Sequence, residues 1–225
     1  MIEIMISLSI ALFLMTGLFG LFLSTKQNSV AQSALSQLQD DQRMAMSLLA
    51  TIIQQAGYFP NPQALTVATA LPVDATFLGE GQSVFGTDGA PQQISIRFVA
   101  AKAELPPLRP AEFPMDCNGG FNKSGADLTY VNTFAIVSNE LTCKVSADAA
   151  QSLVAGISAL SAQYGVDPDA TGSVSQYLNP EQMTTALWQS VRSVRVTLTF
   201  LNPLAGQPGQ LPIEFSRVIN VQSRT

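Results

Sequence analysis

The 225-residue chain contains no histidine. That removes the commonest general base and the commonest metal ligand together. Only Cys117 and Cys143 supply thiols, too few for an ordinary zinc site. Proline is missing before Pro60, where the first of 13 stands, and only Gly17 and Gly20 of the 15 glycines precede Gly57. Charge is sparse at 12% of residues and sums to −5 at pH 7. An acidic chain with scattered Lys and Arg lacks the basic footprint of a nucleic-acid binder, so no nucleic-acid partner is expected. The uneven spread of proline and glycine excludes a uniform globular chain, a collagen-like or disordered one, and a polytopic membrane protein.

What is present before Gly57 is apolar and helical in pattern. Ile4 to Leu23 runs without a charge. At about 1.5 Å per residue it spans roughly 30 Å, the thickness of a bilayer core. A cleavable secretory signal would be shorter, with basic residues ahead of it and a small-residue cleavage site behind. Here nothing basic precedes the run, and the periodicity continues past it. Ala31, Ala34, Leu35, Leu38, Ala45, Leu48, Leu49, Ile52 and Ala56 recur at helical spacing on one stripe. Gly57 offers a left-handed C-cap, with Pro60 and Pro62 as stops beyond it. The expected division is a membrane half over 1–23, an amphipathic half over 24–56, and a separate domain over 57–225. One continuous helix and a membrane anchor kinked near Gly17 and Gly20 both fit the first two segments.

Glu3 stands out in this setting. A carboxylate within an apolar span is expensive if buried and needs a named partner. It can equally sit at the headgroup level, where the helix N-terminus favours an anion. Cys117 and Cys143, 26 positions apart in a Gly/Asn-rich stretch, read as one disulfide worth roughly 3 kcal/mol of loop-closure entropy, or as two reduced thiols in a cytosolic protein.

Residues 57–225 alternate as strands do. Val194, Val196, Leu198 and Phe200 share one face; Ile94, Ile96 and Phe98 repeat the pattern, as do Leu160, Ala162, Tyr164 and Val166. Thr129–Val137 and Leu141–Val145 read as neighbouring strands joined through Ser138-Asn139-Glu140. Ile213, Phe215, Ile219 and Val221 read as a last strand with a bulge. Asn179-Pro180-Glu181-Gln182 starts a short helix that carries Trp188 toward the sheet. Residues 102–127, rich in proline and glycine, form a long loop. An antiparallel sheet packed on the amphipathic half of the helix makes the fold α+β.

Motifs with chemistry are scarce. Gly81 to Gly86 lacks the glycine of a nucleophile elbow, and Gly79-Glu80-Gly81 has Val84 where a dinucleotide fingerprint needs its third glycine. Asp167-Pro168-Asp169-Ala170-Thr171-Gly172 starts like a calcium loop, yet Leu178 stands where the bidentate glutamate belongs. A turn is expected there, with Asp167 and Asp169 as a weak calcium candidate; no other metal and no cofactor are expected. Asn122-Lys123-Ser124 fits the glycosylation sequon by chance.

Met1-Ile2-Glu3-Ile4-Met5-Ile6-Ser7-Leu8 resembles the start of type IV pilins and pseudopilins. The resemblance narrows to PilW-like minor pilins through Ser24-Thr25-Lys26-Gln27, Gln37 to Ala50, Gln55-Ala56-Gly57-Tyr58, Leu153 to Ile157, Ala162 to Asp167, Ser175-Gln176-Tyr177, Trp188, and Ser193 to Leu198. Such proteins carry a short basic leader ending in glycine, which a prepilin peptidase removes. Glu3 matches their early glutamate if two residues precede Met1, so the natural gene is expected to encode Gly-Phe followed by a small polar residue upstream. The resemblance gives Glu3 a partner, the N-terminal amine of a neighbouring subunit in the filament core. Lys26, the sole basic residue near the span, would by itself place the chain after it in the cytoplasm. A basic leader reverses that count.

The resemblance implies a non-catalytic minor pilin in the bacterial inner membrane with a periplasmic head, moving into the pilus on assembly. Its partners would be sibling minor pilins, the major pilin and a pilus-tip adhesin, with adhesion and twitching motility as the dependent activities. A minor pseudopilin of a type II secretion system is the near alternative. A membrane-anchored periplasmic ligand-binding domain or enzyme is the distant one.

Overall fold

The computed structural model describes residues 2–89, 91–103, 114–204 and 211–221. A single helix, α1, runs Ile2–Gln54 without interruption, so the membrane half and the amphipathic half are not two separate helices. At the standard rise it is about 80 Å long. Residues 55–57 turn out of it and Gly57 adopts a φ of 76°, the left-handed cap expected there. The helical stripe is wider than the sequence pattern suggested. Ala45, Leu49, Ile52 and Ala56 are buried, but so are Gln42, Met46, Ala50 and Ile53.

The chain divides into two compact units, Met1–Asp40 with Asn202–Leu211, and Asp41–Leu201 with Pro212–Thr225. In the first, residues 2–30 are exposed throughout, and their most apolar window has a mean hydropathy of 2.3. In the second, the last turns of α1 share a core with nine strands among the described residues: β1 Val84–Thr87, β2 Gln93–Ala100, β3 Leu128–Val137, β4 Glu140–Val145, β5 Gln151–Ala155, β6 Ile157–Val166, β7 Gln176–Leu178, β8 Val191–Phe200 and β9 Ile213–Asn220. Two short helices, α2 Val67–Ala70 and α3 Thr185–Gln189, complete it.

The fold is α+β with antiparallel strands, as the alternation implied, but the strands form two sheets rather than one. The first has the order β1-β2-β3-β4-β5 and the second β7-β6-β8-β9. Only Gly156 separates β5 from β6, at a φ of 80°. A side chain would be strained in that conformation, and the reversal it permits sends β5 to pair with β4 and β6 to pair with β8. The β3–β4 turn through Ser138 and Asn139 has both residues at positive φ, 53° and 62°, the geometry of a tight two-residue hairpin.

Two expectations need correction. The last strand has no bulge: β9 pairs with β8 in unbroken register from Phe200↔Ile213 to Ser193↔Asn220. Ile213, Phe215, Ile219 and Val221 share one parity, and Arg217 simply occupies the position between. The irregularities fall instead on β6–β8, at Ile157/Ala159 and Gly165/Val166, and on β4–β5. The helix expected from Asn179 is split, a 3-10 turn over Pro180–Gln182 followed by α3 with its own N-cap, Thr184. Gln182 closes the first turn by accepting from the Asn179 N–H at 3.0 Å, which completes that turn without feeding a longer helix. β2 is buried on both faces, Ser95, Arg97 and Val99 included, so its alternation marks two environments and not inside against outside. Part of the expected 102–127 loop, residues 104–113, lies outside the described residues.

Candidate functional site

Residues 2–23 of α1 present apolar side chains on every side, Ile2, Met5, Phe13 and Met15 each more than 70% exposed. Its few polar groups do not interrupt that surface. The Ser7 and Ser9 hydroxyls donate to the carbonyls of Glu3 and Met5 at 2.8 Å, and Thr16 to those of Leu12 and Phe13. Each hydroxyl is therefore satisfied within the helix, which suits an apolar surrounding. Glu3 lies exposed in the first turn and is the sole acid before Asp40. Within the same unit, a hollow of about 470 Å³ is lined by Lys26, Gln27, Val30, Ala31, Ala34, Pro203 and Leu204.

In the second unit Cys117 and Cys143 form a disulfide. Cys143 is on β4, and Cys117 belongs to a loop held to β3 by its N–H, which donates to the side-chain Oδ1 of Asn132 at 2.9 Å. Asp116 closes the adjoining turn by accepting from Asn118 and Gly120 N–H at 2.8 Å. Asn122 is 2% exposed and gives its amide to the carbonyls of Ala100, Ala101 and Ala126. A glycan has no access to that nitrogen.

Asp167 follows β6 directly and is 3% exposed. Its carboxylate accepts from Thr171 N–H at 2.9 Å, the Thr171 hydroxyl at 3.1 Å and Gly172 N–H at 2.8 Å, and faces Arg192 Nε at 3.5 Å. Burial raises the pKa of this carboxyl; the bonds from Gly172 and Thr171 and the charge of Arg192 outweigh it, and the group titrates below its ordinary value. Asp169 is exposed on the turn. Among the described residues no group of three or more metal-ligating side chains gathers.

Two features escaped the sequence reading. Arg97, on β2, is 1% exposed. Its guanidinium bonds the carbonyls of Leu71, Pro72 and Gln82, pairs with Asp74 at 3.1 Å, and lies 4.4 Å from the Phe77 ring centroid. Burial lowers its pKa while Asp74 opposes the shift. A lone Arg inside a strand carries no sequence signal of this role beyond its place in an otherwise apolar run.

The second is a cleft of about 370 Å³ between the β1 end and the Pro180–Thr185 segment. Its wall holds Leu78, Phe85, Met183 and Trp188, and its rim Asp88 and Glu181. Trp188, on α3, packs 4.6 Å from the Tyr164 ring and 5.3 Å from Phe85. Gly86, on β1, is where the Tyr164 hydroxyl approaches; a β-carbon at Gly86 would overlap that oxygen. The hydroxyl is fully buried and finds no hydrogen-bond partner among the described residues, and burial pushes its pKa up. Glu181 shares a side-chain hydrogen bond with Asp88, which with the charge of Asp88 raises the Glu181 pKa. Asp88 also accepts from Gln92 Nε2 at 3.3 Å.

Compared with known protein families, residues 125–209 match the family described as Type IV Pilus-assembly protein W. No curated protein matches the chain. The matched stretch begins just before β3 and extends past β8, and it supports a type IV pilin-related, PilW-like protein.

Proposed function

We propose that this PilW-like chain is a minor pilin, a structural subunit that helps start type IV pilus assembly. The family match carries the reading, because a role related to pilus assembly follows from it and because this kind of family is generally structural and not catalytic. The helix supports it. A 53-residue α1 with an exposed apolar first half fits a membrane-anchored pilin. Before assembly that half spans the inner membrane, and the head stands in the periplasm, where an oxidising environment sustains the Cys117–Cys143 disulfide. In the filament the same apolar surface packs among the helices of other subunits. Glu3 then neutralises the N-terminal amine of a neighbour, since two opposite charges enter an apolar core only together. Partners are the sibling minor pilins and the major pilin, and the head works without a cofactor, the Asp167 loop serving as a structural turn.

The test is Glu3→Ala in the full chain, expressed in a deletion strain. The variant inserts into the membrane at the wild-type level but is lost from sheared pili. Its normal incorporation into pili overturns the role given to Glu3. Deletion of the gene itself removes surface pili and twitching; secretion lost with pili intact assigns the chain to a type II pseudopilus, and normal pili, twitching and secretion reject both filament readings.

A further inference from the structure

The cleft beside Trp188 has a chemistry that the assembly reading does not use. Its volume, about 370 Å³, is at the small end of ligand pockets. One wall is apolar and aromatic, from Leu78, Phe85 and Trp188; the rim carries Asp88 and Glu181, and no basic side chain is among the described residues that line it. Two carboxylates that close repel each other unless a proton or a cation lies between them. An apolar ligand would leave the pair only the proton they share and the Gln92 amide as compensation. A hard divalent cation would require six or more oxygens, against an apolar wall here. A basic side chain satisfies both halves at once: its methylene stem covers the apolar wall, and its head meets carboxylates and aromatic rings.

We propose that this cleft receives an arginine or lysine side chain presented by a partner subunit, its charged head between Asp88 and Glu181 and its stem along Phe85 and Trp188. The chemistry of the cleft stands alone; the identity of the donor as a pilus subunit rests on the function proposed above. Single-sign lining focuses the field of such a cleft toward a cation.

Trp188 is the one tryptophan of the chain and lines the cleft, so its fluorescence reports occupancy. The full chain in detergent micelles is titrated with N-acetyl-arginine amide and, in parallel, with the neutral isostere N-acetyl-citrulline amide. The arginine probe produces a saturable change and the citrulline probe binds at least about tenfold more weakly. The pair Asp88→Asn with Glu181→Gln weakens the arginine probe by about tenfold or more while Tm stays at the wild-type value. Equal response to both probes, no response to arginine, or undiminished binding by the double variant overturns the cationic site. A response to calcium chloride in place of arginine also overturns it, in favour of a metal. In the native host the double variant incorporates poorly into pili; wild-type incorporation, together with arginine binding in micelles, overturns the partner assignment alone. Because the micelle titration needs no pili, its failure is distinct from failure of the Glu3→Ala test.

Discussion

Gly86 and Tyr164 are coupled by a single close approach between the two sheets. The Tyr164 hydroxyl lies where a β-carbon of residue 86 would stand, and it has no hydrogen-bond partner among the described residues. Gly86→Ala therefore overpacks the interior and is expected to cost about 1–3 kcal/mol in chemical denaturation. In a Tyr164→Phe background, which removes the oxygen, that cost shrinks, and a double-mutant cycle measures the difference. Asp167 gives a pH-dependent prediction. Its folded pKa lies below its ordinary 3.8, so its stabilisation is present above that value and is lost as pH falls through the lower folded pKa. Asp167→Asn lowers Tm at pH 7 and flattens the Tm profile below about pH 4. Added calcium leaves the wild-type Tm unchanged, because the carboxylate oxygens already serve the loop and Arg192; a calcium-dependent rise would restore the site suggested by Asp167 and Asp169.

At the scale of elements, the disulfide and the Arg97 bonds solve the same problem by different means. Residues 71–82 and 114–127 are mostly irregular, and irregular backbone inside a domain must find partners for its carbonyls and N–H groups. Arg97 collects the first stretch on one guanidinium. Cys143 and Asn132 fasten the second to β4 and β3. The double variant Cys117→Ser with Cys143→Ser loses about 2–4 kcal/mol, read as a lower denaturant midpoint; reducing agent reproduces the loss in the wild type and leaves the variant unaffected. The strand pattern was readable at this scale where one face is apolar, as in β8, whose buried Val194, Val196, Leu198 and Phe200 alternate with partly exposed Arg195, Thr197 and Thr199. β1, β5 and β7 were not, since strands of three to five residues give too few alternations to stand out from loop.

For the molecule as a whole, α1 belongs to two environments along one continuous backbone. Its exposed apolar half and its buried Ala45–Ile53 turns lie in different compact units, and the absence of proline keeps the hydrogen-bond ladder intact between them. Glu3→Ala is the prediction of this scale: under the proposed function it would separate insertion, driven by the apolar run, from assembly, for which the charge is proposed to be required.

The sequence by itself determined the apolar first segment, the helical stripe behind it and the alternation of the main strands. Each of these is written in composition or in a period of two or 3.6 residues, and nearby residues suffice to read it. Only the tertiary structure decided that α1 runs uninterrupted, that Cys117 and Cys143 are bonded, that Gly156 divides the strands into two sheets, that Arg97 is a buried hub, and that Asp88 and Glu181 line one cleft beside Trp188. All but the first depend on residues far apart in the chain being brought together, and nothing in the spacing of Asp88 and Glu181 along the sequence encodes their proximity.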